Sequence, residues 1–388
     1  MNKKIFDKKM NNWKNKKLSK LTIVSPIFPP DIGGPASYVY ELGQRLKSDF
    51  DITVITFCEG KANLMKGVSI HSIDPSRHGF LGRQLRLLRN LIRFSRDADC
   101  IYIQGPVVVG FLSSFFAKNR GIKSMLKFVG DIAWEEASRH GKTDLDLNNW
   151  LKIPKKDFKS KILQWVQKKS FKNVDKIIVP SEYLKNLLVK YYEVPESKIE
   201  MIYNAFEYRS VDSKKSERAY SLMCAGRLER HKNVDLIIEA MKLLPEKYTL
   251  DIYGNGSEKV KLVDIAKELG GRVKFFGNVS HAELSREMEK HEMFILYSSY
   301  EGLPHVILEA FAARCPIVAS NILGTNEVAI DDENAVLAES ENPKRLAEAI
   351  RNLSWDKKRR ERHCINGVKL LKTEFSWNTH LEKLKKLI

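Results

Sequence analysis

What this 388-residue chain lacks narrows its class before any motif is read. Its five cysteines (Cys58, Cys100, Cys224, Cys315 and Cys364) lie far apart with no CxxC. Neither a disulfide framework nor a zinc framework is expected, and reduced thiols in a cytoplasmic compartment are the simplest reading. The nine histidines are as scattered and include no HExxH, so no metal site is expected. No run approaches the ~20 apolar residues that cross a bilayer. The longest, Pro106 to Ala117, is broken by Gly110, Ser113 and Ser114. The amino terminus is rich in lysine but has no apolar h-region, so secretion is not expected. Signatures of RRM, KH and zinc-finger modules are missing as well.

The composition that is present, 43% hydrophobic and 29% charged, is that of a globular protein and excludes a disordered or collagenous chain. The length suggests two or three domains at ~150 residues each. Sixty-six basic residues against 48 acidic ones leave a net charge of +18. Such a charge calls for an anionic partner: nucleic acid, anionic lipid or a phosphorylated small molecule. The excess is uneven. In a leader over residues 1–20, Lys3, Lys4, Lys8, Lys9, Lys14, Lys16, Lys17 and Lys20 face only Asp7, and a second cluster runs from Lys152 to Lys172.

Past the leader, short β-branched runs alternate with helical patterns, the mark of parallel α/β units. Strands are predicted at Leu21–Ser25, Ile52–Phe57, Cys100–Ile103, Ser124–Val129, Lys176–Val179 and Glu200–Tyr203. A polar stretch, Ser210 to Arg218, then separates this half from a second. The second half has strands predicted at Tyr220–Cys224, Thr249–Tyr253, Val273–Phe276, Phe294–Tyr297 and Ile317–Ala319. Its helices are expected at Val234–Leu244, Ser257–Leu269, Ala282–Lys290 and Pro304–Ala313. The pattern predicts two Rossmann-like domains, residues 21–206 and 207–375, with a ligand in the cleft at the carboxyl ends of their strands. A final helix lies within residues 376–388.

The most informative segment runs from Ser298 to Ala310. Gly302 allows a tight turn after a strand, and Pro304 suits the first position of a helix. The turn and helix start (Gly302, Leu303, Pro304, His305, Val306) then offer free N–H groups beside Glu301, a cradle for an anion. Glu309 follows about 1.5 turns into the helix. Two carboxylates at different depths accept hydrogen bonds from vicinal hydroxyls, as on a ribose and a hexose. The competing reading makes Glu301 a helix cap and Glu309 a solvated charge. A glycosidase pair ranks below both, because nothing marks either carboxylate as a raised-pKa acid.

A second constellation, Gly226 to Asn233, follows the first strand of the second half. Arg227 offers a planar fork to phosphate oxygens and Lys232 a compact charge. Elsewhere, Gly33 and Gly34 at a helix entrance, and Gly254 and Gly256 after a strand, let backbone approach a ligand or simply make turns.

Taken in order, Gly33-Gly34, Asn204, Gly226-Arg227 with Lys232, Gly254 and Gly256, Glu301 with Glu309, and Glu327 resemble the family 4 retaining glycosyltransferases of GT-B fold. The resemblance covers nearly the whole chain after the leader and is strongest from Ala219 to Glu327. It implies transfer of a sugar from a nucleotide-diphosphate donor to a saccharide or lipid-linked acceptor, with anomeric retention and no metal or other cofactor. By motif position, Arg227 and Lys232 would neutralise the departing diphosphate, Glu301 would meet donor-sugar hydroxyls and Glu309 the ribose. Gly33 and Gly34 would line the cleft, and the last helix would cross back onto the first domain. The chain departs from the family at Val129-Gly130-Asp131, where many members carry a histidine. Asp131 either meets sugar or acceptor in its place or caps a helix, and Trp134 packs an acceptor or the core. Arg314-Cys315-Pro316 and Leu323-Gly324-Thr325 replace the usual glycine-containing turns.

In a helix over Leu81–Arg96, Leu81, Leu85, Leu88 and Ile92 share one side and five arginines lie elsewhere. Phe158, Ile162, Trp165 and Val166 form a similar stripe within the second lysine cluster. Such helices either lie on an anionic bilayer or pack on a core with a solvated basic face. The resulting expectation is a cytoplasmic enzyme of cell-envelope polysaccharide or glycolipid synthesis, peripheral on the inner face of the membrane, with no nucleic-acid partner. A sugar-nucleotide epimerase of the same fold, and a basic nucleic-acid-binding protein, are the alternatives.

Overall fold

A computed structural model of the protein describes residues 18–31, 33–208 and 218–388. The leader lysines before Leu18 and nearly all of the Ser210–Arg218 stretch lie outside the described residues. Two all-parallel sheets carry the fold. The first contains β1 (Ser19–Ser25), β2 (Phe50–Phe57), β3 (Val68–Ile73), β4 (Cys100–Gln104), β5 (Lys123–Lys127), β6 (Lys176–Val179) and β7 (Ile199–Met201), in the order β3-β2-β1-β4-β5-β6-β7. The second contains β8 (Arg218–Ala225), β9 (Thr249–Tyr253), β10 (Val273–Gly277), β11 (His291–Leu296), β12 (Ile317–Ser320) and β13 (Val336–Ala338), ordered β10-β9-β8-β11-β12-β13.

Both sheets are buried on both faces, which is why their strands read as continuous apolar runs. Adjacent residues fall into different cores. Val24, Ile101, Leu126 and Ile177 pack on one face of the first sheet, while Ile23, Tyr102, Met125 and Ile178 pack on the other. In the second sheet Leu222, Met293 and Ile295 face one core and Met223, Phe294 and Leu296 the other. The carboxyl-terminal helix, Trp377–Lys385, returns to the first sheet, where Trp377 and Leu384 join the core of Ile23 and Tyr102. Burying those two side chains is worth ~2 kcal/mol each, enough to hold a short helix in place.

Three expected elements shift. β5 stops at Lys127 because the chain turns away at a half-exposed Val129 and a buried Gly130 into the cap of the helix Ile132–Arg139. The helix after Glu301 begins at His305, and Pro304 is its cap rather than its first residue. The arginine-rich helix spans Phe80–Phe94, and its core contacts are Leu87 and Leu91, whereas Leu81 and Leu85 stand 76% and 69% exposed. No helix among the described residues is long and apolar enough to cross a membrane. The five cysteines are not joined in disulfides, and four of them are buried.

Candidate active site

The carboxyl ends of the two sheets meet. Gly302, in the loop after β11, brings its backbone so close to the first half that a Cβ would stand 2.7 Å from the Val129 carbonyl. The Gly302 carbonyl accepts a hydrogen bond from Ser181 Oγ at 2.7 Å. Beside it, Glu327 Oε1 accepts the Tyr183 N–H at 2.9 Å and so caps a helix of the opposite half. Trp134 Nε1 donates to the Leu145 carbonyl at 3.0 Å. Its indole is almost wholly buried edge-on against Tyr300 and His231 of the second half. Of its two expected roles, Trp134 therefore takes the core.

Lys232 and Glu301 come together within this frame. Lys232 ends a short 3-10 turn after β8, and its Nζ donates to Glu301 Oε1 at 2.6 Å. Ser298 Oγ donates to the same oxygen at 2.7 Å. The two side chains are 19% and 10% exposed, so the pair is largely withdrawn from water. Ser299 N–H donates to the His231 carbonyl at 2.8 Å, fastening the two loops to each other. Arg227 is exposed and pairs with no carboxylate among the described residues. One side of the assembly is thus a closed ion pair and the other an unengaged guanidinium.

Glu309 sits further along the helix His305–Ala312, and its Oε1 lies 3.2 Å from Nδ1 of the exposed His281. That hydrogen bond raises the pKa of His281 against the opposing effect of burial. His305 is open to the cleft yet hemmed in by protein, so burial pulls its pKa down to about 4, with the Lys127 charge adding to the effect. Its Nε2 lies 2.6 Å from Asn204 Nδ2, across the two halves. Leu303 and Pro304 are buried and Val306 is half-buried. A cavity of about 260 Å³ lies alongside, between Tyr183 and Asn148 on one side and Glu301, Leu323 and Gly324 on the other.

The glycines divide. Gly34 starts the helix Gly34–Leu46 in open space, with nothing within 4 Å of a built Cβ, while a Cβ on Gly33 would meet Ile27. Gly254 and Gly256 serve packing: a Cβ on either would overlap the carbonyl of Gly226 or Leu228. These contacts stack the β9 loop under the β8 loop that carries Arg227. Gly226 itself donates its N–H to the Tyr253 carbonyl at 3.0 Å.

Asp131 does not serve as a sugar-contacting group here. It is fully buried, caps the helix Ile132–Arg139 by accepting the Trp134 N–H at 3.0 Å, and is also bonded to Gln167 and Tyr192. Its oxygens are spent, and burial raises its pKa. The carboxylate that does reach the cleft is Glu135, one turn later. It lines a small hollow with Arg227, Arg139 and His231. Burial raises its pKa while Arg227 opposes that rise. Sequence reading passed over Glu135; an N-cap at Asp131 places position 135 on the next turn of the same helix, which was the available signal. Among the described residues, no group of three His, Cys, Asp or Glu side chains is placed to hold a metal ion.

Residues 32–208 match the model of Glycosyltransferase Family 4, and residues 206–369 match that of Glycosyl transferases group 1. The chain belongs to the family 4 glycosyltransferases. An uncharacterized glycosyltransferase of Methanocaldococcus jannaschii is 25% identical over 94% of this chain and 97% of its own. A Campylobacter jejuni N-acetylgalactosaminyltransferase, named for a diphospho-undecaprenol-linked acceptor, is 27% identical over 53% of this chain and 58% of its own. Among solved structures, Anabaena HepE in complex with UDP superposes with a TM-score of 0.75 at 16% identity, covering 95% of this chain and 99% of that one. The architecture is that of GT-B glycosyltransferases. The glycosyltransferase therefore carries its motif residues on loops that meet across the two sheets.

Proposed function

We infer that the protein is a retaining, metal-independent glycosyltransferase that moves a hexosyl-type sugar from a nucleotide-diphosphate donor to a saccharide or lipid-linked saccharide. The observation that carries this reading is the placement of Arg227, Lys232 and Glu301 on neighbouring loops at the carboxyl ends of β8 and β11. Rupture of a glycosyl–phosphate bond puts negative charge on the leaving oxygen, and fixed cations stabilise that charge most as it develops. Arg227 and Lys232 would supply them. Glu301, held by Lys232 and Ser298, keeps a second oxygen for donor-sugar hydroxyls, and Glu309 would exchange His281 for the ribose. The acceptor oxygen would bond to the anomeric carbon on the face the phosphate leaves, passing its proton to the departing phosphate oxygen. HepE, solved with UDP and glucose, and the Campylobacter relative support this choice of substrates.

A thermal-shift series with UDP-, GDP- and ADP-sugars tests the reading. One base class should stabilise the wild type, with the shift diminished in Glu309→Ala and Arg227→Ala. Equal shifts in all three proteins would contradict the site. Detection of an isomerised donor without a transferred sugar would favour the epimerase.

The acceptor side also offers a basis for membrane contact. Phe80, Leu81 and Leu85 are exposed beside Arg83, Arg86, Arg89 and Arg93, none of which pairs with a carboxylate among the described residues. Phe115, Phe158 and Trp165 are exposed on the two helices packed in succession beside it. The occupant argued here is an anionic lipid surface, at ~1 kcal/mol for each basic residue near it. The protein should sediment with vesicles containing phosphatidylglycerol and be released by salt, and Leu81→Ser with Leu85→Ser should weaken that binding about tenfold or more. Sedimentation insensitive to both anionic lipid and salt would remove the proposal.

A further inference from the structure

The cleft holds a cation that no role described so far uses. Lys127 is the last residue of β5, at the carboxyl edge of the first sheet, and is only 3% exposed. Its Nζ makes no hydrogen bond or ion pair with any described residue. It sits over the ring of Tyr38, whose centroid lies 3.6 Å from Nζ. Such a contact, when desolvated, is worth about 2 kcal/mol, less than the desolvation of an ammonium.

The surroundings supply no counter-charge. Tyr38 Oη lies 3.0 Å from Tyr102 Oη and 2.8 Å from His380 Nε2, while His380 Nδ1 lies 2.7 Å from the Tyr203 carbonyl. Burial keeps both phenols protonated and holds His380 neutral, with a pKa of about 3. From the second half, His305 faces the same charge and is also neutral. Glu301 and Glu309 are engaged by Lys232 and His281. Lys127 Nζ is nonetheless not among the sealed, unpartnered atoms, so the cluster is not closed to solvent at that atom. A buried ammonium whose neighbours are all neutral is the arrangement of a site that completes itself with a ligand.

We propose that Lys127 is a binding residue for a compact oxyanion, a phosphate or carboxylate carried by one of the two substrates, received at the carboxyl end of β5 beside Tyr38. This rests on the glycosyltransferase reading of the cleft. The protons of that cluster are spent within it, from Tyr102 to Tyr38, from Tyr38 to His380 Nε2 and from His380 Nδ1 to the Tyr203 carbonyl, which leaves the Lys127 ammonium as its donor to a ligand. The diphosphate of the donor is already matched to Arg227 and Lys232. The anion at Lys127 is therefore a second one, on the acceptor or on the donor sugar as a uronate.

The test measures binding to the full-length protein, wild type and Lys127→Met, with Lys127→Gln as a second neutral variant. UDP is held at saturation so that the diphosphate site is filled. Glycerol 1-phosphate is then titrated as the acceptor probe, with glycerol as its neutral control, and UDP-glucuronate is compared with UDP-glucose as the donor probe. Glycerol 1-phosphate binding that weakens tenfold or more in both variants, with UDP affinity unchanged, supports the proposal and places the anion on the acceptor. The same loss confined to UDP-glucuronate supports it and places the anion on the donor sugar. Equal affinity of wild type and variants for both charged probes overturns it. Failure of UDP, GDP and ADP alike to bind the wild type would instead sink the glycosyltransferase reading, a readout separate from the charged probes.

Discussion

Lys232→Ala is expected to lower the transfer rate by about a hundredfold or more, as removal of one preorganised transition-state donor does elsewhere. It should also destabilise the fold by about 3 kcal/mol, because Glu301 is left largely buried with only Ser298 as partner. Arg227→Ala provides the contrast. Arg227 is exposed and pairs with no carboxylate among the described residues, so its loss should cost a similar factor in rate with a stability change within about 0.5 kcal/mol. Both losses should fall on kcat more than on KM, since the charge they meet is largest in the transition state. The measurement is steady-state transfer with the best donor, paired with denaturant unfolding of each variant. Full turnover in Lys232→Ala would remove Lys232 from the chemistry. Loss of rate in proportion to lost folded fraction would make it structural only. A Lys232→Ala, Glu301→Gln double variant should recover part of the stability and none of the rate, because the neutral amide no longer needs the ammonium.

The sequence made the central strands legible because burial on both faces writes them as uninterrupted apolar runs, as in Cys100–Gln104. It hid the edge strand β3 for the opposite reason. Val68–Ile73 leaves most of its residues partly open, so its run of Val, Ser, Ile, His, Ser and Ile carries little signal. The helix Lys357–Thr373 was equally obscure: it is so polar that only His363, Gly367, Val368 and Leu371 are buried.

In the site, motif spacing set Lys232 and Glu301 in turns after strands and Glu309 in the helix that follows, as the structure has them, but not their partners. Nothing in one dimension says that Lys232 reaches Glu301 while Glu309 reaches His281. Asp131 kept two readings in sequence because a cap and a ligand-facing acid look alike until the competing donors, Trp134 N–H, Gln167 and Tyr192, are placed around it. Lys127 was invisible for a related reason. Within Met125-Leu126-Lys127-Phe128 it reads as a strand-end charge reaching solvent, and only the return of the carboxyl-terminal helix, bringing His380 over Tyr38, encloses it.

That enclosure has a thermodynamic consequence that can be measured without any substrate. Burial pulls the Lys127 ammonium from its ordinary value near 10.5 down to about 7. Above pH 10.5 the amine is neutral in folded and unfolded chains alike and costs nothing. As pH falls from there to about 7, the unfolded chain takes up a proton that the folded one refuses, so stability is lost through that window. Below about 7 both states are protonated and the full penalty is in force. Lys127→Met removes the penalty, and should therefore stabilise the unliganded protein by about 3–5 kcal/mol at pH 6.5, falling to roughly half of that or less by pH 9. Denaturant midpoints of the two proteins across that range make the comparison. Tyr38, Tyr102 and His380 stay neutral throughout and His305 is already neutral at pH 6.5, so none of them should distort the difference curve. A variant no more stable than wild type at pH 6.5, or a gain that grows with pH, would mean that the ammonium is solvated or paired in the folded protein. A gain of the expected sign would mark Lys127 as a residue kept at the expense of stability, as binding groups awaiting a ligand commonly are.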